Sequence, residues 1–152
     1  MAQILACTLL SFAAASTPAL ALEHARDLAA ASQAAAREQR PIVLFFTMTG
    51  CPFCERARRD YLRPLARSEA WQSRARTFEV ARDHALIGFD GRRTTGAELA
   101  GTYGVRVYPT VAFVDSQGRL LADPLAGYTV PDFYGAYLES RLAAARERLS
   151  GR

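Results

Sequence analysis

Apolar and charged positions fall along this chain in stretches with different periods, and each period predicts an element. From Glu23 to Gln39 an alanine-rich run keeps Ala25, Leu28, Ala29, Ala35 and Ala36 between charged residues until Pro41 stops it, which predicts an amphipathic first helix. "PIVLFFT" follows, uncharged from Pro41 to Phe46 and bounded by Gly50, as expected of a central strand covered on both faces. Next, Cys54, Ala57, Tyr61, Leu62 and Leu65 recur at helical steps while Arg56, Arg58, Arg59 and Arg63 fill mostly the other angles, so the arginines read as a solvated face. Pro64 ends or kinks that helix, and "LARSEAWQS" resumes it in another direction with Trp71 as core anchor.

Phe78 and Val80 alternate in a second strand, "RTFEVARD". "HALIGFDGRRT" is turn-rich and predicts an extra loop or small hairpin. Thr95 and Glu98 have capping-box spacing for a short helix closed by Gly104. "VRVYPTVAFVD", a Ser116-Gln117-Gly118 turn and "RLLAD" predict strand, turn and strand. Thr129, Pro131 and Asp132 open a last helix with an apolar stripe of Phe133, Tyr134, Tyr137, Leu138 and Leu142. The order predicts an α/β fold, a mixed sheet whose parallel start joins an antiparallel hairpin, with helices on both faces.

Composition narrows the class. The chain has 152 residues, half of them hydrophobic and 22% charged, which suits one domain with a full core. Its net charge of +4 is scattered rather than gathered into an aromatic-laced basic block, so nucleic-acid binding is not expected. The first 21 residues carry no charged side chain and end in Ala19-Leu20-Ala21, the pattern of a secretory leader cleaved after Ala21; residues 22–152 then form the domain. The terminal amine is its only n-region charge, which leaves a mis-assigned start as an alternative. The segment is too short and alanine-rich to be a good membrane anchor. Cys7 is a distant match to a lipoprotein acceptor, but few residues precede it, and it is read as discarded with the leader.

The mature chain then keeps Cys51 and Cys54, a pair sent to an oxidising compartment. If a helix starts there, Cys51 is its N-cap, Pro52 its first position and Cys54 its third. A Cys51 thiolate then faces the free N–H groups of the first turn, which raises its acidity and makes it the nucleophile. Cys54, one turn on and facing inward, is the sheltered thiol that resolves a mixed disulfide. Two alternatives remain. A zinc or copper site would have to combine the cysteines with His24 and His84 at no common spacing, and a purely structural disulfide would close too small a loop to stabilise much.

With "GCPFC" after an apolar strand and Tyr108-Pro109-Thr110 opening a later one, the chain resembles thioredoxin-fold thiol-disulfide oxidoreductases from Glu23 to Leu149. "GFDGRRTTGAELAGTYGVRVYPTVAFVDSQGR" is further similar to exported thioredoxin-like proteins near the disulfide isomerase and sulfur-oxidation branches. The resemblance implies a three-layer thioredoxin-like sandwich in which Pro109 is a cis proline and Tyr108 pairs with substrate backbone. Thr110, Pro52 and Phe53 complete the expected substrate groove; an ordinary strand-edge proline is the alternative for Pro109. It also implies a periplasmic monomer, acting on protein thiols or disulfides and supplied by a membrane electron donor. No cofactor is implied, since the cysteines store both electrons.

The chain departs from the family's cytosolic members in three places. Phe45 and Phe46 stand where their strand carries an Asp, Gly50 replaces the Trp before the first cysteine, and Pro-Phe replaces Gly-Pro between the cysteines. Glu79 is a candidate substitute for the missing proton relay, although an exposed strand position is the preferred reading. Reduction of partner disulfides is the expected direction. The alternatives are an oxidase or isomerase, and a non-catalytic binding or metal-carrier module.

Overall fold

The uncharged run after Pro41 forms the middle strand of a mixed sheet in the computed structural model, which describes residues 22–151. Strand β2 (Ile42–Thr47) is fully buried because alternate side chains enter different cores. Val43 and Phe45 join Trp71, Phe113, Leu138 and Leu142 on one face. Ile42, Leu44 and Phe46 join Leu28, Val80, Leu99 and Val114 on the other.

Strand β1 (Glu23–His24), strand β3 (Arg76–Ala81), strand β6 (Thr110–Val114) and strand β7 (Leu120–Ala126) complete the sheet in the order β1-β3-β2-β6-β7. The β1–β3 and β3–β2 pairings are parallel; β2–β6 and β6–β7 are antiparallel. Helices α1 (Leu28–Glu38) and α5 (Gly96–Thr102) bury their apolar residues in the second core. Helices α2 (Pro52–Ala57), α3 (Arg63–Arg67), α4 (Glu69–Gln72) and α6 (Tyr134–Ser150) cover the first. This is the expected mixed α/β sandwich. A hairpin of β4 (Ala85–Ile87) and β5 (Arg93–Thr95) stands apart from the main sheet. Gly91 at its turn has φ +77°, a conformation that side chains other than glycine's resist. The Thr95/Glu98 capping box forms in both directions, at 3.2 and 2.9 Å.

Several boundaries differ from the sequence expectation. The first helix starts at Leu28, not Glu23, because Asp27 accepts the Ala30 N–H at 2.8 Å as N-cap while Glu23 and His24 pair with the edge of β3. Pro64 does not end the second helix. A π turn over Arg58–Leu62 leads into α3, where Pro64 occupies the first turn and its missing N–H is harmless. The cap expected at Thr129 and Asp132 does not form. A 3-10 turn, Pro131–Phe133, held by the Tyr61 hydroxyl on the Pro131 carbonyl at 2.6 Å, delays α6 to Tyr134. The buried stripe is therefore Tyr134, Leu138, Leu142 and Ala145, with Phe133 and Tyr137 exposed. The expected leader, Cys7 and Arg152 lie outside the described residues. None of the described helices is long and apolar enough to cross a membrane.

Candidate active site

Strand β2 leaves the sheet through Gly50, whose φ of +71° needs glycine's freedom, and delivers the chain to Cys51. Cys51 is extended (φ −97°, ψ 101°) and caps α2, with Pro52 in the first turn. Its sulfur accepts the Cys54 backbone N–H at 3.1 Å, so the unpaired donors of a helix start face this atom. Cys51 and Cys54 are joined in a disulfide with Cα atoms 5.3 Å apart. Cys54 is completely buried, whereas Cys51 is partly exposed and Pro52 and Phe53 stand in solvent. One sulfur can thus be approached by a second protein, and the other is reached only through the first.

Antiparallel pairing brings the second motif to the same end of the sheet. Phe46, one residue before the end of β2, lies opposite Thr110, at the start of β6, so Pro109 enters the sheet at the end from which β2 leads to the cysteines. The Tyr108–Pro109 peptide bond is cis. Pro109 is buried, its carbonyl accepts the Gly127 N–H at 2.7 Å, and the Thr110 hydroxyl donates to the Val107 carbonyl at 2.8 Å. Tyr108 is partly buried against the core that contains Phe46. Met48 and Val107, in loops at this end, and Phe53, in the first turn of α2, are exposed apolar residues.

One turn along the helix from Cys54, Arg58 reaches a group that the sequence reading placed wrongly. Glu79 is only 3% exposed, not a solvated strand residue. Its carboxylate receives the Thr47 hydroxyl at 2.8 Å and Arg58 Nε at 2.9 Å, with a further charged contact from Arg58 Nη2. Arg58 is correspondingly no member of a solvated face. It bridges Glu79 and Glu55, and its guanidinium carbon lies 6.0 Å from the centre of the Phe45 ring. Burial by itself would lower its pKa, but the hydrogen bonds it donates to Glu79 and Glu55 outweigh that and hold it above the usual arginine range. The signal was present in the spacing: Arg58 is four residues after Cys54, on the inward side of the helix, and Glu79 sits between two buried residues of a strand flanked on both sides.

His24 and His84 face each other, with ring centres 5.7 Å apart. Among the described residues no three His, Cys, Asp or Glu side chains gather as metal ligands, so the two histidines do not join the cysteines in one site.

A five-stranded mixed sheet between helices, with a Cys-x-x-C disulfide at a helix start, defines a thioredoxin-like thiol-disulfide oxidoreductase. The chain belongs to the thioredoxin-like domain family, whose model matches residues 28–141. No curated protein matches it. Among solved structures it is similar to the oxidoreductase DsbH, with 22% identity over 93% of this chain and 95% of that one and a TM-score of 0.55. It is also similar to the germline-specific thioredoxin Deadhead of Drosophila melanogaster (24% identity, 78% and 98% coverage, TM-score 0.52). A third is mitochondrial thioredoxin 3 of Saccharomyces cerevisiae (17%, 80% and 93%, TM-score 0.51). At these identities the structural likeness concerns the fold.

Proposed function

We propose that this protein is an exported, periplasmic dithiol-disulfide oxidoreductase that reduces disulfides of partner proteins. The observation that carries the reading is the asymmetry of the pair: Cys51 is partly exposed at a helix N-cap and Cys54 is entirely buried one turn later. In the reduced state the Cys51 thiolate attacks a partner disulfide, forming a mixed disulfide and expelling one partner thiolate, which takes a proton from solvent. Cys54, once deprotonated, attacks Cys51 sulfur, re-forming the internal disulfide and releasing the second partner thiol. Two electrons pass from the pair to the partner, and a membrane donor returns them. Tyr108, cis Pro109 and Thr110, with Pro52 and Phe53, form the substrate groove, in which the Tyr108 backbone pairs with the substrate chain.

Export is supported by the uncharged first 21 residues ending in Ala19-Leu20-Ala21, and the mature domain begins at Leu22 and works as a monomer. Insulin reduction tests the chemistry. Cys51→Ser abolishes turnover, and Cys54→Ser accumulates a mixed disulfide with the substrate. A non-catalytic binding module would leave the wild-type rate at background. Titration against glutathione tests the direction: a potential near roughly −270 mV supports a reductant, and one near roughly −120 mV overturns it in favour of an oxidase.

A further inference from the structure

The chain has two histidines, and the fold brings them together at the edge of the sheet. His24 ends β1, His84 follows β3, both are exposed, and their rings are inclined by 50°. Side chains alone supply only two nitrogens there. The processing proposed above, on which this inference rests, supplies the others. Cleavage after Ala21 makes Leu22 the first residue and His24 the third. An α-amine followed two residues later by histidine can wrap one ion with four nitrogens: the amine, the amides of the second and third residues, and the imidazole Nδ1. Four nitrogens in a plane suit Cu(II) and Ni(II).

We propose that the mature amino terminus, Leu22-Glu23-His24, is a square-planar Cu(II) or Ni(II) site, with the His84 imidazole beside it as an apical fifth nitrogen. The metal displaces the two amide protons and any protons on the amine and imidazole, which pass to solvent; its oxidation state does not change. Metal–nitrogen bonds of about 2.0–2.1 Å put the centres of two imidazoles on one ion roughly 4.5–5.2 Å apart. The observed separation is 5.7 Å, and closing the difference moves the His24 side chain together with its strand. The amides of Glu23 and His24 belong to a two-residue strand at the sheet edge and Leu22 is only 3% exposed, so binding lifts β1 from β3 and draws Leu22 out of the core. Zn(II), which does not displace amide protons under these conditions, binds weakly.

The test uses chain 22–152, released from a fusion so that Leu22 is the first residue, with the Cys51–Cys54 disulfide intact so that no thiol competes. Copper sulfate is titrated in, and the visible ligand-field band and the nitrogen splitting in electron paramagnetic resonance are recorded. One equivalent binds, with the blue-shifted band of a four-nitrogen plane. A chain retaining Ala21, which keeps both histidines and the fold but moves His24 to fourth place, loses affinity by roughly 100-fold or more, as does His24→Gln. Both keep insulin reduction. His84→Gln keeps the planar spectrum and loses the apical perturbation. Equal affinity in the Ala21-retaining chain, or no stoichiometric binding by the Leu22 chain, overturns the site and leaves the redox reading untouched. The mass of the exported protein tests processing separately, since a first residue other than Leu22 removes the chelate.

Discussion

The carboxylate of Glu79 on β3 is held by the guanidinium of Arg58, four residues beyond the buried Cys54, with Nε to Oε2 at 2.9 Å. This pair lies one turn along the helix from Cys54 and against Phe45, which offers no polar group. With the Thr47 hydroxyl also on Glu79, both carboxylate oxygens are engaged. The pair fixes the helix that carries the cysteines onto the sheet.

Removing one partner strands the other charge in the interior. Arg58→Met or Glu79→Leu alone therefore lowers stability by about 3 kcal/mol, while the double substitution recovers much of the loss. Urea unfolding followed through Trp71, the single tryptophan, measures both. Strictly additive costs would show that the two residues do not act as a pair.

The burial difference across the disulfide sets an order of reaction. After reduction, iodoacetamide at neutral pH modifies Cys51 well before Cys54, because Cys54 has no exposed surface and the Cys51 sulfur accepts a helix N–H. Peptide mapping by mass spectrometry reads the order directly. Equal labelling rates would remove the basis for assigning attack to one sulfur and resolution to the other.

Gly96 has a different constraint from the turn glycines. A Cβ placed there would lie 2.0 Å from the Ala81 carbonyl oxygen, a backbone atom that cannot rotate away. Gly96→Ala therefore forces α5 off β3 and costs on the order of 1–3 kcal/mol or more. A urea midpoint unchanged from wild type would contradict that close approach.

Asp115, 2% exposed, shows how stability should respond to acid. Burial alone would raise its pKa, but hydrogen bonds from the Arg119 and Gln117 backbone N–H groups and the Arg119 side chain lower it below the usual range. A carboxylate with a depressed folded pKa adds stability above its unfolded pKa of about 3.9 and loses it as pH falls through the folded value. The stability gap between wild type and Asp115→Asn is thus full at pH 5–7 and narrows below about pH 4. Urea midpoints across that range check the sign.

Much of this protein follows from local pattern. The alternation of β2 between two cores, the Thr95/Glu98 box and the N-cap position of Cys51 each depend on residues within one element or its immediate flank, so periodicity and capping chemistry were enough to read them. Where neighbours far along the chain compete for the same residue, local reading failed. Glu23 and His24 have a helical pattern, yet the open edge of β3 takes them as a strand. Arg58 lies among exposed arginines, yet Glu79, 21 residues later, draws it inward.

By itself, the sequence determined which sulfur heads a helix and which strands can be buried on both faces, because these depend on backbone donors and side-chain alternation within a few residues. Only the tertiary structure decided that Glu79 meets Arg58, that Pro109 emerges at the cysteine end of the sheet and that His24 faces His84. Those meetings depend on strand order and register, which bring distant residues together and which no local period encodes.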